Sequence, residues 1–312
     1  MKNIPKISVL MITYNQENVV RRSLDSLIAQ KEYIYEICIN DDCSTDKTFN
    51  ILKEYEQKYP NLVKPVRNEH NLGIFRNVEE TWKRPKGDII TRLSGDDECG
   101  TDYYRKVIEF IIDRNIDYKN ELFCIYCDYI QRNNDGATLL NRNSLVNIAS
   151  PLKLKIRKLL FGRGVCYSRH ILEKFENVST GRSYSVELIQ DCQIQLYAEK
   201  SYYIPCVGNI YNAQKGVSMR LNKSEREENI FQAYDLYVDF VAKHGHPLDF
   251  KDISYINYMK SFRKGKKIQT LYYYIKSIDV KLGMAGFQLD RVWFVFRHRL
   301  LKKWLSVKNS RS

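Results

Sequence analysis

Three short polar clusters concentrate the chemistry available to this chain: Thr13-Tyr14-Asn15-Gln16-Glu17, Asn40-Asp41-Asp42-Cys43-Ser44-Thr45-Asp46 and Ser94-Gly95-Asp96-Asp97-Glu98. Carboxylates grouped this way suit two tasks. One accepts hydrogen bonds from a nucleobase N–H or a ribose hydroxyl, and another holds a divalent cation that neutralises a diphosphate. Asp41 and Asp42 stand where a base could lie, and Asp96 where a hard ion bridging two phosphates needs an oxygen. The sequence has no Gly-rich dinucleotide fingerprint after the first strand and no Walker-type loop, so phosphate charge must be met by metal and scattered basic residues. Each cluster alone also reads as a polar turn leading into a helix cap. Their joint occurrence in register argues for a site.

The elements that must position these clusters are legible in the hydrophobic pattern. Apolar runs at Ile7 to Thr13, Ile34 to Asn40, Leu62 to Arg67 and Ile89 to Ser94 predict four strands. Between them Val20, Leu24, Leu27 and Ile28, then Phe49, Leu52, Tyr55 and Tyr59, recur at helical spacing, with Asp46 as an expected N-cap. This alternation predicts an α/β fold, a mostly parallel sheet flanked by helices, in which ligands bind outside the carboxyl ends of the strands. Thr101 is expected to cap a helix carrying Tyr104, Val107, Ile108 and Ile111. Beyond it the alternation becomes irregular, with strands expected at Phe123 to Tyr129, Gly164 to Ser168 and Tyr202 to Ile210, and helices near Pro151 to Phe161 and Glu187 to Lys200. Past Ser224 the pattern is helical.

Composition sets outer bounds. The 312 residues are 44% hydrophobic and 28% charged, enough for a core without metals or disulfides. Apolar runs such as Val292 to Phe296 are far short of the roughly 20 residues of a membrane-spanning helix. No apolar leader follows the first residues, and the expected location is cytoplasmic. Eight cysteines are scattered singly apart from Cys124 and Cys127, whose odd spacing on a strand points them to opposite faces, so buried free thiols are expected. His70, His170, His244, His246 and His298 are too dispersed for a metal site. The net charge is +13, and residues 221–312 carry 18 Lys and Arg against 9 Asp and Glu. An anionic partner is implied for that tail.

With these residues in place, the sequence resembles the family 2 nucleotide-sugar glycosyltransferases over roughly residues 5 to 220. Ile7-Ser8-Val9-Leu10-Met11-Ile12-Thr13-Tyr14-Asn15 is similar to the family's opening strand, Asn40 to Asp46 to its Asp-Asp-Gly-Ser-x-Asp signature, and Asn71-Leu72-Gly73 with Arg76-Asn77 to the segment that follows. The resemblance implies the GT-A α/β fold over residues 1–220, with a nucleotide-binding half (about 1–115) and an acceptor half (about 116–220), followed by a basic helical extension at 221–312. It implies that Thr13, Glu17, Asp41 and Asp42 contact uracil and ribose, with Tyr14, Asn71, Arg76, Ser94, Asp96 and Asp97 completing the donor site. The family's metal-binding Asp-x-Asp segment matches Ser94-Gly95-Asp96, so Asp96 is the implied ligand of Mn2+ or Mg2+ and a serine replaces the first carboxylate. Gln190-Asp191-Cys192 resembles the segment that bears the general base, which makes Asp191 the implied base and Glu187 the reserve. The stretch Tyr211 to Met219 resembles a loop that closes over the donor, where Lys215 or Arg220 could meet the diphosphate.

The implied activity is inverting transfer from a nucleotide sugar, with uridine diphosphate favoured, to a saccharide acceptor. The tail bears on that acceptor. From Phe287 to Leu305, Leu289, Val292, Trp293, Phe296, Leu300 and Trp304 fall near one helical face with basic residues mostly elsewhere, the profile of a helix lying on an anionic membrane. Such docking fits a lipid-linked acceptor in bacterial surface polysaccharide assembly; packing on the catalytic domain or on another subunit is the other reading. The charge alone also fits a nucleic-acid-binding protein or a metal-dependent nuclease, but carboxylates lining a groove repel phosphate backbones. A nucleotidyltransferase would need a Gly-rich basic loop where Thr13 to Glu17 stands.

Overall fold

The computed structural model describes residues 4–133, 136–141, 164–177, 186–212 and 222–245, with further positions between 253 and 270. The expected helix at 151–161, the loop at 213–219 with Lys215, Arg220 and the helix at 287–305 all lie outside the described residues. The chain divides into two units, Met1–His244 and Gly245–Ser312.

In the first unit the uninterrupted apolar runs become the sheet's buried centre. β1 (Ile7–Thr13), β2 (Glu36–Asp41), β3 (Val63–Arg67) and β4 (Ile89–Arg92) are parallel, in the spatial order β3-β2-β1-β4. Val9, Met11, Ile37 and Ile39 are buried on one face, while Leu10, Cys38 and Ile90 are buried on the other. Because both faces are covered, these strands read as continuous apolar runs instead of alternating ones. Helices α1 (Val20–Ile28), α2 (Thr48–Lys58), α3 (Ile74–Trp82) and α4 (Tyr103–Asp113) supply the covering layers. The expected apolar positions face inward, with Val20, Leu24, Leu27, Leu52, Tyr104, Val107 and Ile111 all buried.

The sheet then continues with mixed directions. β5 (Glu98–Cys99), β6 (Phe123–Arg132), β7 (Thr138–Asn141), β8 (Cys166–Ser168) and β9 (Lys200–Asn212) extend the order as β4-β8-β6-β9-β5, and β7 pairs with β6. Cys124 and Cys127 do point to opposite faces, each in a different core cluster. The short α5 (Arg169–Leu172) leads toward α6 (Val186–Tyr197), and α7 (Lys223–Lys243) closes the unit. Lys243 pairs with Glu176 at 2.6 Å, tying α7 to the residues after α5.

Two helix starts differ from expectation. Helix α2 begins at Thr48, with Lys47 at the N-cap position making no side-chain cap, while Asp46 accepts the Thr48 N–H from one position further out. Helix α4 begins at Tyr103 after Asp102, which takes a left-handed φ of 58°. The α6 pattern was expected to reach Lys200, but the helix ends at Tyr197 because Lys200 already pairs with Phe123 as the first residue of β9.

Candidate functional site

The switch in strand order between β1 and β4 leaves a crevice at their carboxyl ends, and the three polar clusters surround it. The first two are laced together. Thr13 Oγ1 donates to Asp41 Oδ1 at 2.9 Å, and the Ser44 N–H and hydroxyl donate to the same carboxylate. Asn15 N–H donates to Ser44 Oγ at 2.9 Å, Gln16 N–H to Thr48 Oγ1 at 2.7 Å, and Glu17 N–H to Asp46 Oδ2 at 3.1 Å. Glu17 returns the exchange by accepting the Lys47 N–H at 2.9 Å. Burial works to raise the Asp46 pKa, but the bonds from Thr48 and Glu17 outweigh it and hold the carboxyl below the usual range.

Asp42 performs a different task. Its carboxylate accepts Asn68 Nδ2 at 2.9 Å and the backbone N–H groups of Leu72 and Gly73 at 2.8 and 3.0 Å, which fixes the Asn71-Leu72-Gly73 turn at the start of α3. Asn71 itself donates to the Asp42 carbonyl at 3.3 Å. Gly73 carries φ +79°, and Arg76, exposed in the first turn of α3, follows from that placement. Between Asp42 and Ser44 the chain turns through Cys43 at φ +59°, the left-handed conformation that glycine adopts without strain.

The third cluster is pressed against the first. A Cβ on Gly95 would meet Gln16 Oε1 at 2.3 Å, Thr13 Cγ2 at 2.9 Å and the Ile12 carbonyl oxygen at 3.2 Å, so the missing side chain lets the two clusters approach this closely. Ser23 Oγ donates to the Gly95 carbonyl at 2.8 Å, and Arg22 and Asn212 both donate to the Asp96 carbonyl. Asp97 faces the end of β9, where its Oδ1 accepts the Asn212 N–H at 3.0 Å. Asp96 and Asp97 are buried, whereas Ser94, Tyr14 and Glu17 are partly exposed.

Asp191 enters from α6. Arg92, the last residue of β4, donates to Asp191 Oδ1 and to Gln190 Oε1, both at 2.5 Å, and Asp191 is only 4% exposed. On the next turn the Gln193 amide accepts the Glu176 N–H at 2.7 Å and donates to the Glu176 carbonyl, anchoring α6 from its other side. Burial, aided by the nearby Asp191 charge, raises the phenol pKa values of Tyr126 and Tyr167, so both stay protonated. The Glu187 side chain lies outside the described residues. Arg92 and Asn212 are the partners that sequence reading missed. A signal existed for Arg92, since a charge in a strand buried on both faces requires a partner.

Beside Arg92 a cavity of about 70 Å³ opens between α3, the sheet and α6. Ile74, Val78 and Trp82 of α3, Leu10 and Ile12 of β1 and Tyr167 of β8 form its apolar walls, and Arg92, Ser94 and Gln190 contribute polar groups.

For a divalent cation, the donor set is the Asp96 carboxylate with the Ser94 hydroxyl two residues away. Among the described residues no three His, Cys, Asp or Glu side chains converge on one point. Mg2+ and Mn2+ characteristically take one or two carboxylates and complete their shell with substrate phosphates and water, so the hard oxygen donors present fit such an ion. The eight cysteines are free, and burial pushes the Cys38 and Cys99 thiols up to about 11, which leaves them protonated and inert.

Residues 8–157 match the model of Glycosyl transferase family 2. The chain carries a family 2 glycosyltransferase domain. TuaG of Bacillus subtilis, named for teichuronic acid biosynthesis, is 32% identical over 111 residues, covering 36% of this chain and 44% of its own length. The chain spans less than half the length of the curated relatives it matches. Among solved structures, S. aureus TarS in complex with UDP-GlcNAc aligns over 86% of this chain and 79% of its own, with TM-score 0.59 and 18% identity. A mannosyltransferase from Pyrobaculum calidifontis in complex with GDP-Man and Mn2+ aligns over 97% and 84%, with TM-score 0.59 and 14% identity. At these identities the likeness is one of fold, and it is the GT-A arrangement that the family 2 domain was expected to adopt.

Proposed function

We propose that this family 2 domain transfers a sugar from a nucleotide sugar, a uridine diphosphate sugar, to a saccharide acceptor with inversion at the anomeric carbon. The observation that carries the reading is the convergence of three polar strand ends on one crevice, with the buried carboxylate of Asp191 delivered to its edge by Arg92. Thr13, Asp41 and Asp42 shape the base and ribose end, with Tyr14, Glu17, Asn71 and Arg76 along its rim. Ser94, Asp96 and Asp97 form the diphosphate end. Asp96 would hold Mn2+ or Mg2+, and that ion would supply charge neutralisation for the departing diphosphate.

Asp191 acts as general base. It accepts the proton of the acceptor hydroxyl while that oxygen attacks the anomeric carbon opposite the leaving diphosphate. Since the Arg92 guanidinium already pairs with Asp191 Oδ1, the acceptor hydroxyl approaches the other carboxylate oxygen or displaces the guanidinium. Arg92 fixes the carboxylate's direction in either case. The acceptor is a lipid-linked saccharide of bacterial surface polysaccharide assembly, supported by the basic tail and by the surface-polymer name of TuaG. A cytoplasmic enzyme peripheral to the membrane follows from the same reasoning.

The test is UDP release from UDP-sugars in the presence of saccharide acceptors, with the product anomer assigned by NMR. Asp191→Asn should lower turnover by at least about a hundredfold while UDP affinity holds. A fully active Asp191→Asn protein, or a product that retains the donor's configuration, would overturn the assignment.

A further inference from the structure

The cavity between α3 and the sheet is not used by any step above. Its position, size and lining point to a particular part of the substrate. We propose that it receives the acetamido group of the donor, so that the enzyme selects 2-acetamido-2-deoxy sugars over plain hexoses. The proposal rests on the nucleotide-sugar reading and names the sugar class within it.

Position comes first. The diphosphate is assigned to Asp96 and the attacking hydroxyl to Asp191, so the anomeric carbon lies between them. Ser94 and Gln190, each close in sequence to one of those carboxylates, both line the cavity. C2 is the ring carbon next to the anomeric carbon, so its substituent is within reach of the cavity. Size comes second. A volume of about 70 Å³ accommodates an acetamido group of four heavy atoms.

The lining supplies both halves of the group. Ile74, Val78 and Trp82 offer an apolar wall for the methyl, and the Gln190 amide, whose Oε1 accepts from Arg92, offers its N–H to the acetamido carbonyl. A hexose hydroxyl placed there would face hydrocarbon over most of its surroundings and lose hydrogen bonds it makes in water. Rejection of a hexose thus comes from the same wall that stabilises the methyl.

The experiment is calorimetric titration of the full chain with manganese, using UDP, then UDP-GlcNAc against UDP-glucose and UDP-GalNAc against UDP-galactose. The expected result is a preference of about tenfold or more for the acetamido member of at least one pair. Val78→Leu, which extends a side chain into the cavity, should cut that preference to about threefold or less with UDP affinity unchanged; Ile74→Phe repeats the test should Val78→Leu fail to fold. UDP binding without preference in either pair, or a preference untouched by both variants, would overturn the pocket and leave the donor site standing. No binding of any uridine nucleotide would overturn the donor reading itself and this inference with it.

Discussion

At the scale of single residues, the site is a set of carboxylates whose tasks are divided by their partners. Asp41 and Asp42 spend their oxygens on Thr13, Ser44, Asn68, Leu72 and Gly73, which makes them a rigid frame for this end of the crevice. Asp191 instead meets the Arg92 guanidinium in a buried setting, and the same guanidinium holds the neighbouring Gln190. Far from the crevice, Glu36 shows the same logic serving stability. Burial raises its pKa, but bonds from Lys64, the Lys86 N–H and Ser8 outweigh that and hold the carboxyl below the usual range. Its stabilisation is present above the ordinary glutamate pKa of about 4.3 and is lost as pH falls through the lower folded value. Glu36→Gln should therefore melt below the wild type at pH 7, with the gap closing under about pH 4; a gap constant across that range in thermal scans would contradict this. The carboxylates were legible in the sequence because polar clusters interrupt apolar strands. Arg92 was legible only as a strand charge in need of a partner, and that partner lies 99 residues away.

At the scale of elements, the longer strands were readable, whereas β5, β7 and α3 were not expected and two helix starts were misplaced. The parallel strands declare themselves as apolar runs because both faces are covered, and β1 matches its expected bounds from Ile7 to Thr13. The caps at Asp46 and Thr101 were each misplaced by one residue, because in each case tertiary bonds to a neighbouring loop decide where the first turn closes. Glu17, which accepts the Lys47 N–H, is one such partner; Gln30, whose Oε1 accepts the Tyr104 N–H, is another. Beyond Phe123 the sheet mixes directions, and no periodicity reveals that β8 inserts antiparallel between β4 and β6. Gly100 shows how tightly that half is joined. A Cβ there would stand 1.8 Å from the Val207 carbonyl oxygen, which is backbone and cannot swing aside. Gly100→Ala should therefore cost about 1–3 kcal/mol, read as a lowered midpoint in denaturant unfolding. Because β5 and the Asp97 to Asn212 contact share that junction, UDP affinity should fall with it. An unchanged midpoint would show that β5 is not seated on β9 as described.

At the scale of the whole molecule, an acidic crevice and a basic tail coexist in one chain of net charge +13. No described helix is long and apolar enough to cross a membrane. The tail's sequence pattern makes the membrane surface its expected partner, and liposome flotation with anionic vesicles tests this. The full chain should float and a chain ending near Lys281 should not; equal behaviour of the two would remove the tail from the account. The central claim concerns the crevice, and it is tested most directly by calorimetric titration of the purified chain with UDP, with and without manganese, for the wild type and Asp96→Ala. The account predicts UDP binding that depends on manganese and is lost or greatly weakened in Asp96→Ala. Binding indifferent to manganese and unchanged in the variant would contradict it.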